Sequence, residues 1–153
     1  MKKNKKNKIK NDIEYYHHPN GRGLVAKTAI VHETAYIGPK IIIHRGVQVL
    51  NSAMIYNRAI IRGNVIIKDQ AKVFGDALIL DKAIISNKAK IGGHSIILDQ
   101  AKISGKMEIY GQTIVCGKTV LSGKRKIYGH DIIFEKVNAK NVKIDWSKFE
   151  IYS

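Results

Sequence analysis

The sequence predicts an all-β solenoid, a chain of very short strands and tight corners wound into stacked coils. Three observations carry this. Cut every six residues from Gly23, the chain keeps one frame to Lys136, nineteen hexads without an insertion or deletion. The third position is Val, Ile or Leu in all nineteen, from Val25 to Ile133. The fifth is rich in Gly, Asn and Asp, the residues that tolerate positive φ. A fixed period of this kind is the signature of a repeat architecture.

Each hexad position then has a physical role. Positions one and three lie two residues apart, so they point to the same side of a strand. The first position is mostly small, as at Ala53, Ala71, Ala77, Ala83 and Ala89, which suits a narrow interior shared with the aliphatic third position. Positions two and four point outward, and positions five and six turn the corner.

An aliphatic residue followed four places later by a small one recurs as Val73 with Ala77, Ile85 with Ala89 and Ile91 with Ser95, and Ile37 with Ile41 keeps the same spacing. In this the chain resembles the left-handed parallel β-helix family, the hexapeptide-repeat proteins. The resemblance implies three hexads per triangular coil of eighteen residues, and so about six coils over residues 23–136. At roughly 4.8 Å per coil the prism is about 30 Å long. Its two ends expose strand edges that need covers. Residues 1–22 form a basic N-terminal arm in which Ile13, Tyr15 and Tyr16 are apolar enough to cap. Residues 137–153 break the hexad rule, hold Trp146, and read as a C-terminal cap or docking segment.

A chain of 153 residues reads as one domain, here flanked by an arm and a tail. It has no long apolar run and no apolar signal core behind its lysine-rich start, so neither membrane insertion nor export is expected. One cysteine, Cys116, allows no internal disulfide and fits a cytoplasmic location. The formal net charge is +15, of which residues 1–22 supply +5. A lysine- and isoleucine-rich genome is one sufficient source of that excess. A polyanionic partner is the other.

The eighteen-residue period stacks outward residues by face. The first face is apolar: Ile42, Ile60, Leu78 with Leu80, Ile96 with Leu98, Ile114 with Cys116, and Ile132 with Phe134. An apolar sheet of roughly 400 Å² is at the upper end of what a monomer exposes, so we expect this face to be an interface of a homo-oligomer, a trimer or a dimer. The third face alternates lysines and rings: Lys72 with Phe74, Lys90, Glu108 with Tyr110, and Lys126 with Tyr128. Lys88, Lys106 and Lys124 stack at one corner. Lysines interleaved with exposed rings suit a nucleic-acid surface, charge for phosphates and rings for bases. Arg125 and Asp131 occupy first positions, which predicts a charged plug ending the core.

The resemblance also implies a possible chemistry, since many hexapeptide-repeat proteins are acyltransferases that use acetyl-CoA and a histidine base between subunits. His94 and His130 share a corner column, with Asp76 one coil before His94, and these two histidines are the catalytic candidates. Against this, no loop interrupts the hexads, and no metal-spaced Cys/His cluster or phosphate loop is present. The expectation is a non-catalytic, oligomeric interaction protein, needing no cofactor, whose basic, aromatic surface binds nucleic acid or a protein that handles it. A phage or mobile-element accessory inhibitor fits that description. The alternatives are an acyltransferase using acetyl-CoA at a subunit interface, and a structural self-assembling solenoid.

Overall fold

A computed structural model describes residues 13–134. The lysine-rich start and the expected C-terminal cap or docking segment with Trp146 lie outside the described residues. The described chain is a three-sided parallel β-helix of twenty strands, most of two residues, recurring every six residues. It contains no helix long and apolar enough to cross a membrane.

Strands pair in parallel with the strand eighteen residues away, as in Leu78 with Ile96 and Lys72 with Lys90. Three sheets result: a first face of eight strands and second and third faces of six each. We call the turn between the first and second faces the first corner, that between the second and third faces the second corner, and that leading back to the first face the third corner.

The first and third hexad positions fill the interior, as their spacing predicts. Val73, Ala77, Ile79, Ala83 and Ile85 are all fully buried. Burying one Ile or Val contributes about 1.5–3 kcal/mol, so the repeating core is the main source of stability. Where the first position is a hydroxyl, it bonds back three residues. Ser95 Oγ donates to the Gly92 carbonyl at 2.8 Å and Thr113 Oγ1 to that of Tyr110 at 3.0 Å. Among the described residues no buried side-chain nitrogen or oxygen lacks a partner. The core loosens at its ends, where Val31, Leu121 and Ile127 are only partly buried.

The N-terminal edge of the first face is covered by the arm. Strand β1 (Tyr15–His17) pairs antiparallel with β2 (Leu24–Ala26), extending the first face by one strand. His18 is buried beneath it. Its Nε2 lies 2.9 Å from the His32 carbonyl oxygen, and its Nδ1 lies 3.0 Å from the Asn20 carbonyl oxygen and 3.2 Å from the Asn20 backbone nitrogen. A Glu14–Lys27 ion pair ties the start of the arm to the first corner.

Candidate anion-binding groove

The second corner is built by residues that can both turn and bond. Asn51, Asp69 and Asn87 have φ of 57°, 63° and 55°. Each side-chain oxygen accepts a backbone N–H one coil on: Asn51 Oδ1 from Asp69 at 3.2 Å, Asp69 Oδ2 from Asn87 at 2.9 Å, Asn87 Oδ1 from Gly105 at 3.2 Å. The next residue of each corner is locked too, with the Lys88 N–H on the Gly105 carbonyl at 2.8 Å and that of Lys106 on Gly123 at 2.7 Å. These rungs hold Lys88, Lys106 and Lys124 one above another at the coil spacing.

Two adjoining cavities run along this corner and share Lys88 and Lys106. One, of about 500 Å³, is bordered by residues that include Asn51, Ser52 and Gln70. The other, of about 360 Å³, is lined by Lys88, Lys90, Lys106, Lys124, Arg125 and Lys126, with Glu108 as its single acid. The corner column and part of the third face therefore form one groove.

Glu108 sits in register between two lysines. Its Oε2 is 3.2 Å from Lys126 Nζ and its Oε1 3.4 Å from Lys90 Nζ. The Lys126 hydrogen bond holds the Glu108 carboxyl below its ordinary range, Lys90 adds to this, and desolvation opposes it. Lys126 is correspondingly pushed up by Glu108. Lys72, one coil before Lys90, is half-buried and has no ion pair among the described residues. Arg125 departs from expectation. It is exposed and lines the groove instead of plugging the core. The reason is the loosened last coil, where Leu121 and Ile127 are only partly buried: a guanidinium there reaches water at less cost than it would meet inside.

The rings of the third face form a ladder. Tyr56 and Phe74 stack with centroids 5.3 Å apart and planes 11° apart, and Tyr110 and Tyr128 at 5.5 Å and 24°. Gly92 occupies the rung between Phe74 and Tyr110, yet those rings touch at 5.9 Å, tilted by 53°. They reach each other because Phe74 leans over Gly92, where a Cβ would lie 2.5 Å from Phe74 Cε2. Burial in the ladder, followed by the Glu108 charge, pushes the Tyr110 phenol up.

On the first face Ile42 and Ile60 are each 45% exposed. Leu78, Leu80, Ile96, Leu98, Ile114 and Phe134 are half-buried, and Ile132 is buried, so the exposed apolar stripe stops short of the last coil. Cys116 is buried, and burial followed by the Asp99 charge pushes its thiol up to about 11.

His94 and Asp76 meet as their spacing predicts, with Nδ1 3.9 Å from Oδ2. Asp76 is engaged by Arg58, however, whose Nε lies 2.8 Å from Oδ1 and Nη2 2.9 Å from Oδ2. That bidentate partner went unnoticed in the sequence, although the eighteen-residue register places Arg58 directly before Asp76. His94 and His130 are both exposed and line neither cavity of the groove. A further cavity of about 690 Å³ beside Ile13 holds His44, Arg45 and Arg62, and desolvation followed by the Arg62 charge keeps His44 below its ordinary range. Among the described residues no three His, Cys, Asp or Glu side chains gather as metal ligands.

No curated protein matches this chain. A family model does: that of the GMPPB C-terminal domain, over residues 20–133. The match agrees with the β-helix described above, and it spans the arm's last residues and every coil. The resemblance seen in the sequence thus holds at the level of the β-helix, and by this match over about three quarters of its length the chain belongs to the GMPPB C-terminal domain family.

Proposed function

We propose that this protein is a non-catalytic interaction protein that holds nucleic acid, or the nucleoprotein of a machine acting on it, along the second corner. The observation that carries the reading is the cavity of about 360 Å³ walled by five lysines and one arginine against a single carboxylate. Stacked cations repel one another. An anionic backbone laid along them relieves the repulsion and releases its own counterions, which makes such binding strong at low salt and weak at high salt.

Fluorescence anisotropy with labelled single- and double-stranded oligonucleotides, at salt from about 50 to 200 mM, tests it. The wild type is expected to bind with a steep negative slope of log K against log salt. Replacing Lys88, Lys106 and Lys124 together by Gln should cost at least about tenfold in affinity and flatten the slope by about 2 for a single strand. No binding at the lowest salt sinks the reading.

We include self-association in the proposal. Its support is the contiguous apolar stripe from Ile42 to Ile114 on the first face, in which Ile42 and Ile60 are exposed and the rest half-buried. Light scattering on a sizing column should give a closed dimer or trimer, and Ile60→Lys should shift it to monomer. A mass that keeps growing with concentration would instead favour a structural, self-assembling solenoid.

One observation favours a second reading, a hexapeptide-repeat acyltransferase: the approach of His94 to Asp76. On that reading acetyl-CoA raises the melting temperature, and His94→Ala abolishes turnover without unfolding the chain. Indifference to acetyl-CoA removes it.

A further inference from the structure

Four rings and a column of cations share the third face, and the rings decide what kind of contact a bound strand can make. A base is held by stacking on an accessible ring face. Within this ladder the inner faces are turned on each other, which leaves only the outer faces of its end rings, Tyr56 and Tyr128. A base slipped between two rings needs about 7 Å, two stacking layers of roughly 3.4 Å. The centroid separations are 5.3, 5.9 and 5.5 Å. They cannot open by sliding, because the rings ride on coils locked by main-chain bonds such as Phe74 N–H to the Ile91 carbonyl at 2.9 Å and Tyr110 N–H to that of Ile127 at 3.0 Å.

The rung at Gly92 is the one place where the ladder skips a ring, and two coil spacings, about 9.6 Å, would admit a base there. Phe74 fills it. Its Cε2, Cζ and Cδ2 stand 2.5, 2.8 and 3.0 Å from where a Gly92 Cβ would be, and its ring rests on Tyr110. The lysines, by contrast, are set where a backbone would run. Lys88 stands at the second corner, four residues before Gly92, and Lys90 on the strand Lys90–Ile91, two residues before it, so the charged track runs alongside the ring ladder.

We infer that the groove recognises the phosphate backbone alone: its ligand is a linear run of phosphodiesters, read without stacking of bases and without preference for base identity. This rests on the polyanion reading above. It changes that reading in one respect, since the rings brace the third face and do not form part of the binding surface.

The test compares three labelled oligomers of equal length at one salt concentration: oligothymidylate, oligoadenylate and an abasic deoxyribose-phosphate chain. The expected result is three dissociation constants within about threefold. Tyr128→Ala, which removes the most exposed ring at 57%, should leave all three within about twofold, with circular dichroism confirming the fold. Binding of the two base-bearing oligomers with loss of more than tenfold for the abasic chain overturns the inference and leaves the polyanion reading standing. So does a Tyr128→Ala variant that weakens the base-bearing oligomers selectively. A base preference that Gly92→Ala or Phe74→Ala abolishes would show that Phe74 swings out and yields its slot to a base, and would overturn it as well. Failure of all three oligomers to bind overturns the inference together with the reading beneath it.

Discussion

At the second corner Lys88, Lys106 and Lys124 stand one above another with no ion pair among the described residues. At the third corner, across the same strands, Arg58 clasps Asp76 with two bonds and His94 lies beside them. The backbones of the two corners are alike. Both turn through positive φ, at Asn87 and Gly105 on one and at Asn57, Gly75 and Gly93 on the other. Both use side-chain rungs, with Asn57 Oδ1 accepting from the Gly75 N–H at 3.2 Å just as Asn87 Oδ1 accepts from Gly105. What differs is the sixth hexad position, which the turn does not constrain. One corner neutralises its charge internally and the other leaves it for something outside. A repeat fold thus separates the residues that build it from those that give each edge its chemistry.

Substitutions at each corner test that separation. The largest effect is expected from the Lys88, Lys106 and Lys124 triple replacement by Gln, which should abolish most polyanion binding while leaving the melting temperature unchanged or slightly raised, because like charges have been removed. A drop in melting temperature would show that the lysines also build the corner.

Next comes Asp76→Ala. It releases Arg58 and exposes the third corner as a second basic edge, so polyanion affinity should rise a few-fold. The lost surface pair should cost about 0.2–1 kcal/mol by chemical denaturation, the range for exposed pairs. Unchanged affinity would mean that position along the prism, and not charge alone, defines the binding edge.

Glu108→Gln sharpens the boundary between groove and face. Freed of their carboxylate, Lys90 and Lys126 should raise affinity two- to threefold and steepen the salt slope. The same residue predicts an acid limb. Its carboxyl is held below the ordinary value of 4.5 in the folded state, so its contribution to stability is present above that value and lost as pH falls through the lower folded one. The Gln variant should show a shallower loss of stability in that window, read by thermal melts across the acid range.

The smallest effect concerns the first face. Cys116, buried and with its thiol pushed up to about 11, should react with iodoacetamide only as fast as the chain opens. Rapid labelling of the native protein would place it in an accessible stripe.

Nearly all of the fold was legible in the sequence, because the signals are local. Val73 and Ala77 fill the core by strand alternation, and Asn87 turns the corner by its tolerance of positive φ, whatever lies around them. Of the groove, the columns were legible and the pairings were not. The eighteen-residue register set Glu108 between Lys90 and Lys126, but that its two oxygens divide between them depends on rotamers. Arg125 was misjudged because a hexad rule takes no account of the last described coil, where Leu121 and Ile127 are only partly buried and a charge reaches water.

By itself, then, the sequence determined the coil, the composition of each face and the stacking of lysines at one corner, since all three follow from period and register. Only the tertiary structure decided that Phe74 crosses Gly92 to close the ring ladder, that Arg58 claims Asp76 ahead of His94, and that Arg125 turns outward. Each of these is a choice among directions open to a side chain, and the first two are made by neighbours that lie a whole coil away in the sequence and one coil away in space.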